Sequence, residues 1–348
     1  MTTRVAFIGI RHGHIEALYQ SMAKRSDISI VAVCEEDEAT RHARGSQYKF
    51  THTDHRDLLD NVPCDVVAVG DYYARRGAII IAALEHDRHV IADKPICTSM
   101  KELERIERLA TERRRVVGCM LDLRDLGAMR TVKRLVGGGA IGTVVTASFG
   151  GQHPLMFGTR PSWYFEAGKH GGTLNDIAVH GIDFLAWITG SPVSEIVAAR
   201  AWNARLPQIP FFQDGAQCLL RLANGAGVMG DVSYLSPDSF GYSVPMYWRI
   251  TLHGTEGILE AELKRVSLLR NGQKEPENIP LDPPAPDKYL EAFLGELRGE
   301  PLPGELTTRD VLRAARAALA CQEAADKNLA HVAVDYPVQC GACPQPNL

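Results

Sequence analysis

Asp176 and His180 stand four residues apart in the run Gly171-Gly172-Thr-Leu-Asn175-Asp176-Ile-Ala-Val-His180-Gly-Ile-Asp183. If this run is helical from about Thr173, the two side chains share a face and Asp183 borders it. A histidine held by a carboxylate can take or give a proton near neutral pH. The same pair would also serve as a helix-surface ion pair or as part of a structural metal site. A second chemical element is Asp93-Lys94-Pro95, which follows a short apolar run and precedes a helical pattern. That is the carboxyl end of a strand, where open α/β sheets place their ligands. A lysine there can orient a hydroxyl and stabilise an alkoxide, although a purely structural turn has the same sequence.

The first apolar run of the chain enters Gly9-Ile10-Arg11-His12-Gly13-His14. A dinucleotide-binding turn would ask for glycine at 9, 11 and 14, for a tight bend, close approach of backbone to pyrophosphate, and close packing of helix on strand. Only Gly9 complies. Arg11 could instead pair with a phosphate, and Gly13 could let the turn tighten one residue early. Glu35, in Cys34-Glu35-Glu36-Asp37, ends the second apolar run, where a carboxylate accepts hydrogen bonds from the ribose hydroxyls of an adenosine and repels a 2′-phosphate. This favours NAD over NADP; the plain alternative is an acidic turn capping a helix.

The elements that must position these groups alternate in the first third of the chain. Val5 to Ile10, Ile28 to Cys34, Asp65 to Val69, His89 to Ala92 and Val116 to Met120 read as buried strands. Between them, helical spacing covers Ile15 to Arg25, the stretch around His55 to Leu59, Gly77 to Glu85, and Ser99 to Arg113, the last with a Ser99/Glu102 capping box. This is the pattern of a doubly wound parallel sheet. Beyond Met120 it changes to an α+β region with a mostly antiparallel sheet of about six strands. Candidates start at Thr143 to Phe149 and continue as Val193 to Ala201, Gly215 to Leu222, Gly227 to Ser233, Tyr247 to His253, Gly257 to Leu263 and Arg265 to Arg270. Helices resume at Asp287 and at Thr307 to Lys327.

Composition supports an ordinary folded protein: 348 residues, 45% hydrophobic and 23% charged. With 38 Lys+Arg against 42 Asp+Glu and no long run of one sign, nothing suggests a nucleic-acid partner. The longest apolar run, Ala78 to Leu84, is far short of the roughly 20 residues of a membrane span. The N-terminus lacks the length of a signal peptide, so a cytoplasmic protein is expected. Cys340 and Cys343, in a Pro-rich end, have a spacing that suits a metal or redox pair, but one pair falls short of the roughly four ligands of a zinc site, and no metal is expected.

Taken together, the motifs resemble those of the glucose-fructose oxidoreductase, inositol dehydrogenase and MocA family. They are the N-terminal turn, Asp93-Lys94-Pro95 for the family's E-K-P, Arg160-Pro161-Ser162-Trp163, the G-G-x-x-x-D-x-x-x-H-x-x-D run, and His253-Gly254-Thr255-Glu256-Gly257. The resemblance covers nearly the whole chain. It implies a Rossmann domain at 1–121, an α+β substrate and oligomerisation domain at 122–305, a helix returning to the first domain at 306–332, and a tail at 333–348. It implies NAD held by Gly9, Arg11, His12, Gly13, Glu35, Asp71, Tyr72, Arg76, Asp93 and Lys94. The segment Asp71 to Arg76 departs from the family's T-P-N-x-x-H. Lys94, Asp176 and His180 become the catalytic group, with Arg160, Trp163, Lys169, Asn175 and His180 toward substrate. The implied activity is hydride transfer between NAD and a secondary alcohol of a sugar, inositol or related polyol, in a homodimer or homotetramer. A non-catalytic regulator of the same fold, and an NAD-assisted glycosidase or epimerase, are the alternatives.

Overall fold

The computed structural model describes residues 2–336, which form two sheets. The first contains β1 (Thr3–Ile8), β2 (Ile28–Cys34), β3 (Val66–Val69), β4 (His89–Ala92) and β5 (Val117–Cys119), all parallel, in the order β2-β1-β3-β4-β5. The central strands are short, mainly apolar runs, buried apart from Arg4 near the start of β1, as a parallel sheet covered on both faces requires. The covering helices are α1 (Gly13–Ala23), α2 (Glu38–Arg44), α3 (His55–Asn61), α4 (Tyr73–Glu85) and α5 (Met100–Arg113). Chain direction across the sheet reverses between β1 and β3, which opens a crevice at their carboxyl ends.

After α6 (Gly127–Gly137) comes the second sheet. Its strands are β6 (Val144–Pro154), β7 (Val193–Trp202), β8 (Gly215–Leu222), β9 (Gly227–Ser236), β10 (Trp248–Gly254), β11 (Gly257–Glu262), β12 (Arg265–Arg270), β13 (Glu277–Ile279) and β14 (Ala330–Ala333). Helix α7 (Val179–Thr189) precedes β7, and α8 (Lys288–Leu297) and α9 (Thr308–Asp326) precede β14. The order is β13-β12-β11-β10-β6-β9-β8-β7-β14, antiparallel except where β6 meets β9. The sheet is therefore wider than the six strands expected. Among the additions, β13 and β14 are edge strands of three and four residues, too short to show a period and set in segments read as a polar loop and a helical tail. Alternation along β8 and β9 buries one face and exposes Leu219 and Met229 on the other.

Helix α9 spans both sheets. Thr308 Oγ1 accepts from the Val117 amide of β5 (3.1 Å), Arg316 pairs with Glu107 of α5, and Gln322 Oε1 accepts from the Leu174 amide just before α7 (2.9 Å). It joins the two units, and β14 runs across the boundary expected at 332/333. The capping box expected at Ser99 and Glu102 does not form, because Glu102 turns into the space that Gly77 of α4 leaves by lacking a Cβ. A box does form at Thr307 and Asp310, ahead of α9. Six described cysteines, Cys34, Cys64, Cys97, Cys119, Cys218 and Cys321, are free and buried, while Cys340 and Cys343 lie outside the described residues. Among the described residues no helix is long and apolar enough to cross a membrane.

Candidate active site

Loops from the carboxyl ends of β1, β3 and β4 meet in the crevice. Gly9 sits at φ +79°, and a Cβ there would stand 2.6 Å from the Asp71 amide nitrogen, so this bend requires glycine. Helix α1 begins at Gly13 with His12 as its N-cap and no side-chain capping bond, which leaves its first amides available to an anion such as a pyrophosphate. Glu35 ends the segment after β2, fully buried. Its carboxylate accepts from the amides of Ile10 (2.8 Å) and Asp37 (2.9 Å) and from Arg11 Nε (2.9 Å). Bend, helix terminus and carboxylate thus fit a dinucleotide, with one addition: Arg11 lies over Glu35 and 3.3 Å from Asp71. It pairs with carboxylates where the sequence suggested a phosphate contact. Tyr72 stacks beneath both Arg11 and Lys169.

Arg76 plays a different part from the one the resemblance implied. It is wholly buried and donates to the carbonyls of Asp71 (2.7 Å) and Lys94 (2.6 Å) and to Asp93 Oδ2 (2.8 Å), tying the β3 and β4 loops together. Asp93 also takes His12 Nδ1 on Oδ2 (2.5 Å) and His14 Nδ1 on Oδ1 (3.0 Å). Burial opposes charge on Asp93, but Arg76 and the two imidazoles outweigh it and hold its pKa well below the carboxylate range. The ionised carboxylate makes both imidazoles donors through Nδ1. Burial pulls His12 down to a pKa of about 4 despite Asp93. Its Nε2 then accepts from the Tyr164 hydroxyl (2.7 Å), which lies 2.6 Å from that of Tyr73.

Lys94, behind the cis Lys94-Pro95 bond, reaches across to the second unit, and its Nζ donates to Asp176 Oδ1 (2.6 Å) and to the Asp176 carbonyl (3.1 Å). The other carboxylate oxygen accepts from the Tyr234 hydroxyl of β9, with His170 Nε2 3.6 Å away. Burial works against the charge on Asp176, but Lys94 and His170 hold it well below the usual carboxylate range. A regular helix was expected to put Asp176 against His180. The segment Leu174–Ala178 is instead a π-helical turn leading into α7, and its wider winding changes which side chains stack. Asp176 faces Lys94 and Tyr234, and among the described residues His180 Nδ1 has no hydrogen-bond partner, its nearest carboxylate being Asp122 at 4.0 Å. Burial, then Lys94 and His14, push His180 well below the histidine range, so its imidazole is neutral. Asp183 pairs with Arg124 (2.5 Å) away from this group.

Of the candidate substrate residues, Arg160 lies over the rings of Tyr164 and Tyr234 and bonds the Pro154 carbonyl (2.8 Å) and the Tyr242 hydroxyl (3.1 Å). Trp163 donates from Nε1 to the Arg11 carbonyl (3.1 Å), closing the second unit onto the β1 turn. Lys169 pairs with Glu166. Asn175 is turned away, its amide given to the Cys97 carbonyl (3.0 Å). Sequence reasoning missed Tyr73, Tyr164, His153, His170 and Tyr234, the aromatic wall around Asp176. Single tyrosines and histidines on strands, turns and helix ends carry no spacing signal, and only the tertiary fold brings them together.

Residues 3–120 match the model of an oxidoreductase family with an NAD-binding Rossmann fold, and residues 129–260 match the GFO/IDH/MocA C-terminal domain. Curated relatives include a levoglucosan dehydrogenase from Pseudarthrobacter phenanthrenivorans, 26% identical over 58% of this chain and 52% of that protein. Inositol 2-dehydrogenase 3 from Saccharopolyspora erythraea is 28% identical over 70% of each chain. The matched segment therefore spans about half of the first relative's length. Among solved structures, an oxidoreductase from Thermotoga maritima superposes with TM-score 0.82 at 24% identity, covering 94% of this chain and 100% of that one. An inositol dehydrogenase homologue from Azotobacter vinelandii, complexed with NAD+, gives 0.77 at 18% identity, covering 97% and 98%. Both units match the family's models: the chain belongs to the Gfo/Idh/MocA family of oxidoreductases, with NAD as the cofactor of its Rossmann fold.

Proposed function

We propose that the protein is an NAD-dependent dehydrogenase acting on a secondary alcohol of a sugar, an inositol or a related polyol, working as a homodimer or homotetramer. The observation that carries the reading is the Lys94–Asp176 pair, which joins the two units across the crevice beside the nucleotide turn, with a neutral His180 near enough to feel both charges. Gly9, the first turn of α1 and Glu35 would hold NAD, which supplies the hydride acceptor when bound. His180, neutral at neutral pH, would take the hydroxyl proton. Lys94 places a buried positive charge where the alkoxide develops, and Asp176 with Tyr234 fixes that ammonium in position. The dehydrogenase names of the curated relatives support the substrate class.

The test is NADH formation with a panel of inositols, anhydrosugars and aldoses. Net, stoichiometric NADH supports the reading. Conversion of a sugar with no net NADH would replace it with NAD-assisted epimerisation or glycoside cleavage, and no conversion at all with a binding role. In the productive case His180→Ala should lower turnover by roughly 10² to 10⁴, with NAD affinity and folding nearly unchanged. Unchanged turnover per folded molecule would remove His180 from the mechanism.

A further inference from the structure

We propose that His12, His14 and Asp93 form a binding site for one divalent transition-metal ion of the zinc class at the mouth of the crevice. Two imidazoles and one carboxylate are a donor set that such ions use while keeping coordination positions open. Here the three ligand atoms are already gathered. The Nδ1 atoms of His12 and His14 lie 2.5 and 3.0 Å from different oxygens of one carboxylate, and the three donors lie within 4.8 Å of one another.

The surroundings fit a ligand set. A metal-bound histidine gives its other N–H to a fixed partner, and His12 Nε2 already faces the Tyr164 hydroxyl at 2.7 Å, with that of Tyr73 at 3.4 Å. On binding, both imidazoles change tautomer and draw back slightly from Asp93: each Nδ1 gives up its hydrogen bond for the metal, and His12 Nε2–H then donates to the tyrosine oxygen. Arg76 anchors Asp93 through Oδ2 and leaves lone pairs on both oxygens. An entry path exists because the His14 side chain is 36% exposed, whereas Asp93 is wholly buried. A second cluster, Glu36, Asp54 and His55, is a weaker candidate. It has one imidazole, Glu36 is taken by Arg75 and His55, and Asp54 caps α3. The cluster adjoins the first turn of α1, which the proposed function gives to NAD, so the titration is made in the absence of nucleotide.

The experiment is calorimetric titration of the chelator-treated full-length protein with Zn²⁺ or Co²⁺ alone, with Co²⁺ also followed by its visible absorption. One ion per chain is expected, with nitrogen-containing coordination and no competition from excess Mg²⁺. His14→Ala, at the most exposed ligand and therefore least disruptive to folding, should weaken affinity at least tenfold with an unchanged circular dichroism spectrum. His55→Ala should leave affinity unchanged. Absence of stoichiometric binding, equal affinity in His14→Ala, or loss of binding in His55→Ala would each overturn the assignment.

Discussion

Arg11 stands where a dinucleotide turn has its second glycine, and its charge is spent on Glu35 and Asp71. The carboxylate that would receive the adenosine ribose therefore already has three donors, and NAD must compete with a guanidinium for it. Arg11→Gly should raise NAD affinity about tenfold, the equivalent of about 1.4 kcal/mol, measured by quenching of protein fluorescence. Weaker binding in the variant would show that Arg11 contacts the pyrophosphate after all. At Asp176 the consequence runs through Lys94, which is 3% exposed and has this carboxylate as its counter-charge. Asp176→Asn leaves that ammonium buried without its pair and should cost about 3–5 kcal/mol in denaturant unfolding. Lys94→Met in the same chain should recover most of the loss. The negative charge of Asp176 also favours the protonated form of His180. Its removal lowers that pKa further, so the acid limb of the pH-rate profile should move to lower pH; a shift upward would refute the coupling. Lys94, Asp176 and His180 were each legible as residue types at a meaningful spacing. Their pairing was not, because it depends on one π-helical turn and on a tyrosine from a distant strand.

Among the elements, four strands were read to their ends: Ile28–Cys34, His89–Ala92, Gly215–Leu222 and Arg265–Arg270. Two of them are followed directly by Asp93 and Asn271, residue types that strands disfavour, so local chemistry sets those limits. The short edge strands β13 and β14 exist only because a neighbouring strand offers hydrogen bonds, and no local pattern announces that. Helix α8 gives a testable case of the same dependence. Its N-cap Asp287 makes no capping bond; the Lys288 amide is taken instead by Asp125 Oδ2 (3.0 Å), from the turn Asp122–Asp125. Burial there raises the Asp125 pKa to about 7, against the pull of that amide. A carboxyl with a raised folded pKa binds its proton more tightly in the folded chain than in the unfolded one. Stability should therefore fall as pH climbs from about 4 to about 7 and change little from this group above that. Asp125→Asn keeps the acceptor without the charge. The variant should match the parent near pH 4 and exceed it by about 2 kcal/mol at pH 8 in urea unfolding. Equal stability at both pH values would mean that Asp125 is ionised at no cost.

For the whole molecule, the second sheet poses the largest unanswered demand. One face of it packs against α7, α9 and the π turn, so the residues alternating inward from β7, β8 and β9 are buried. The opposite face carries Leu219 and Met229 on paired strands, with Met246 in the segment before β10, between 42% and 62% exposed. Scattered single apolar residues are ordinary on a protein surface, but a set gathered on one open sheet face costs free energy in water and is relieved by a partner of the same shape. Two copies related by a twofold axis would meet face to face, each burying its own set on the other's. Sedimentation at micromolar concentration should give a dimer or a tetramer. Leu219→Asp with Met229→Asp, which buries charge only if the faces meet, should dissociate it while leaving the circular dichroism spectrum unchanged, since neither side chain supports the inner core. A wild-type monomer at that concentration, or a double variant that stays associated, would leave the exposed face without this explanation.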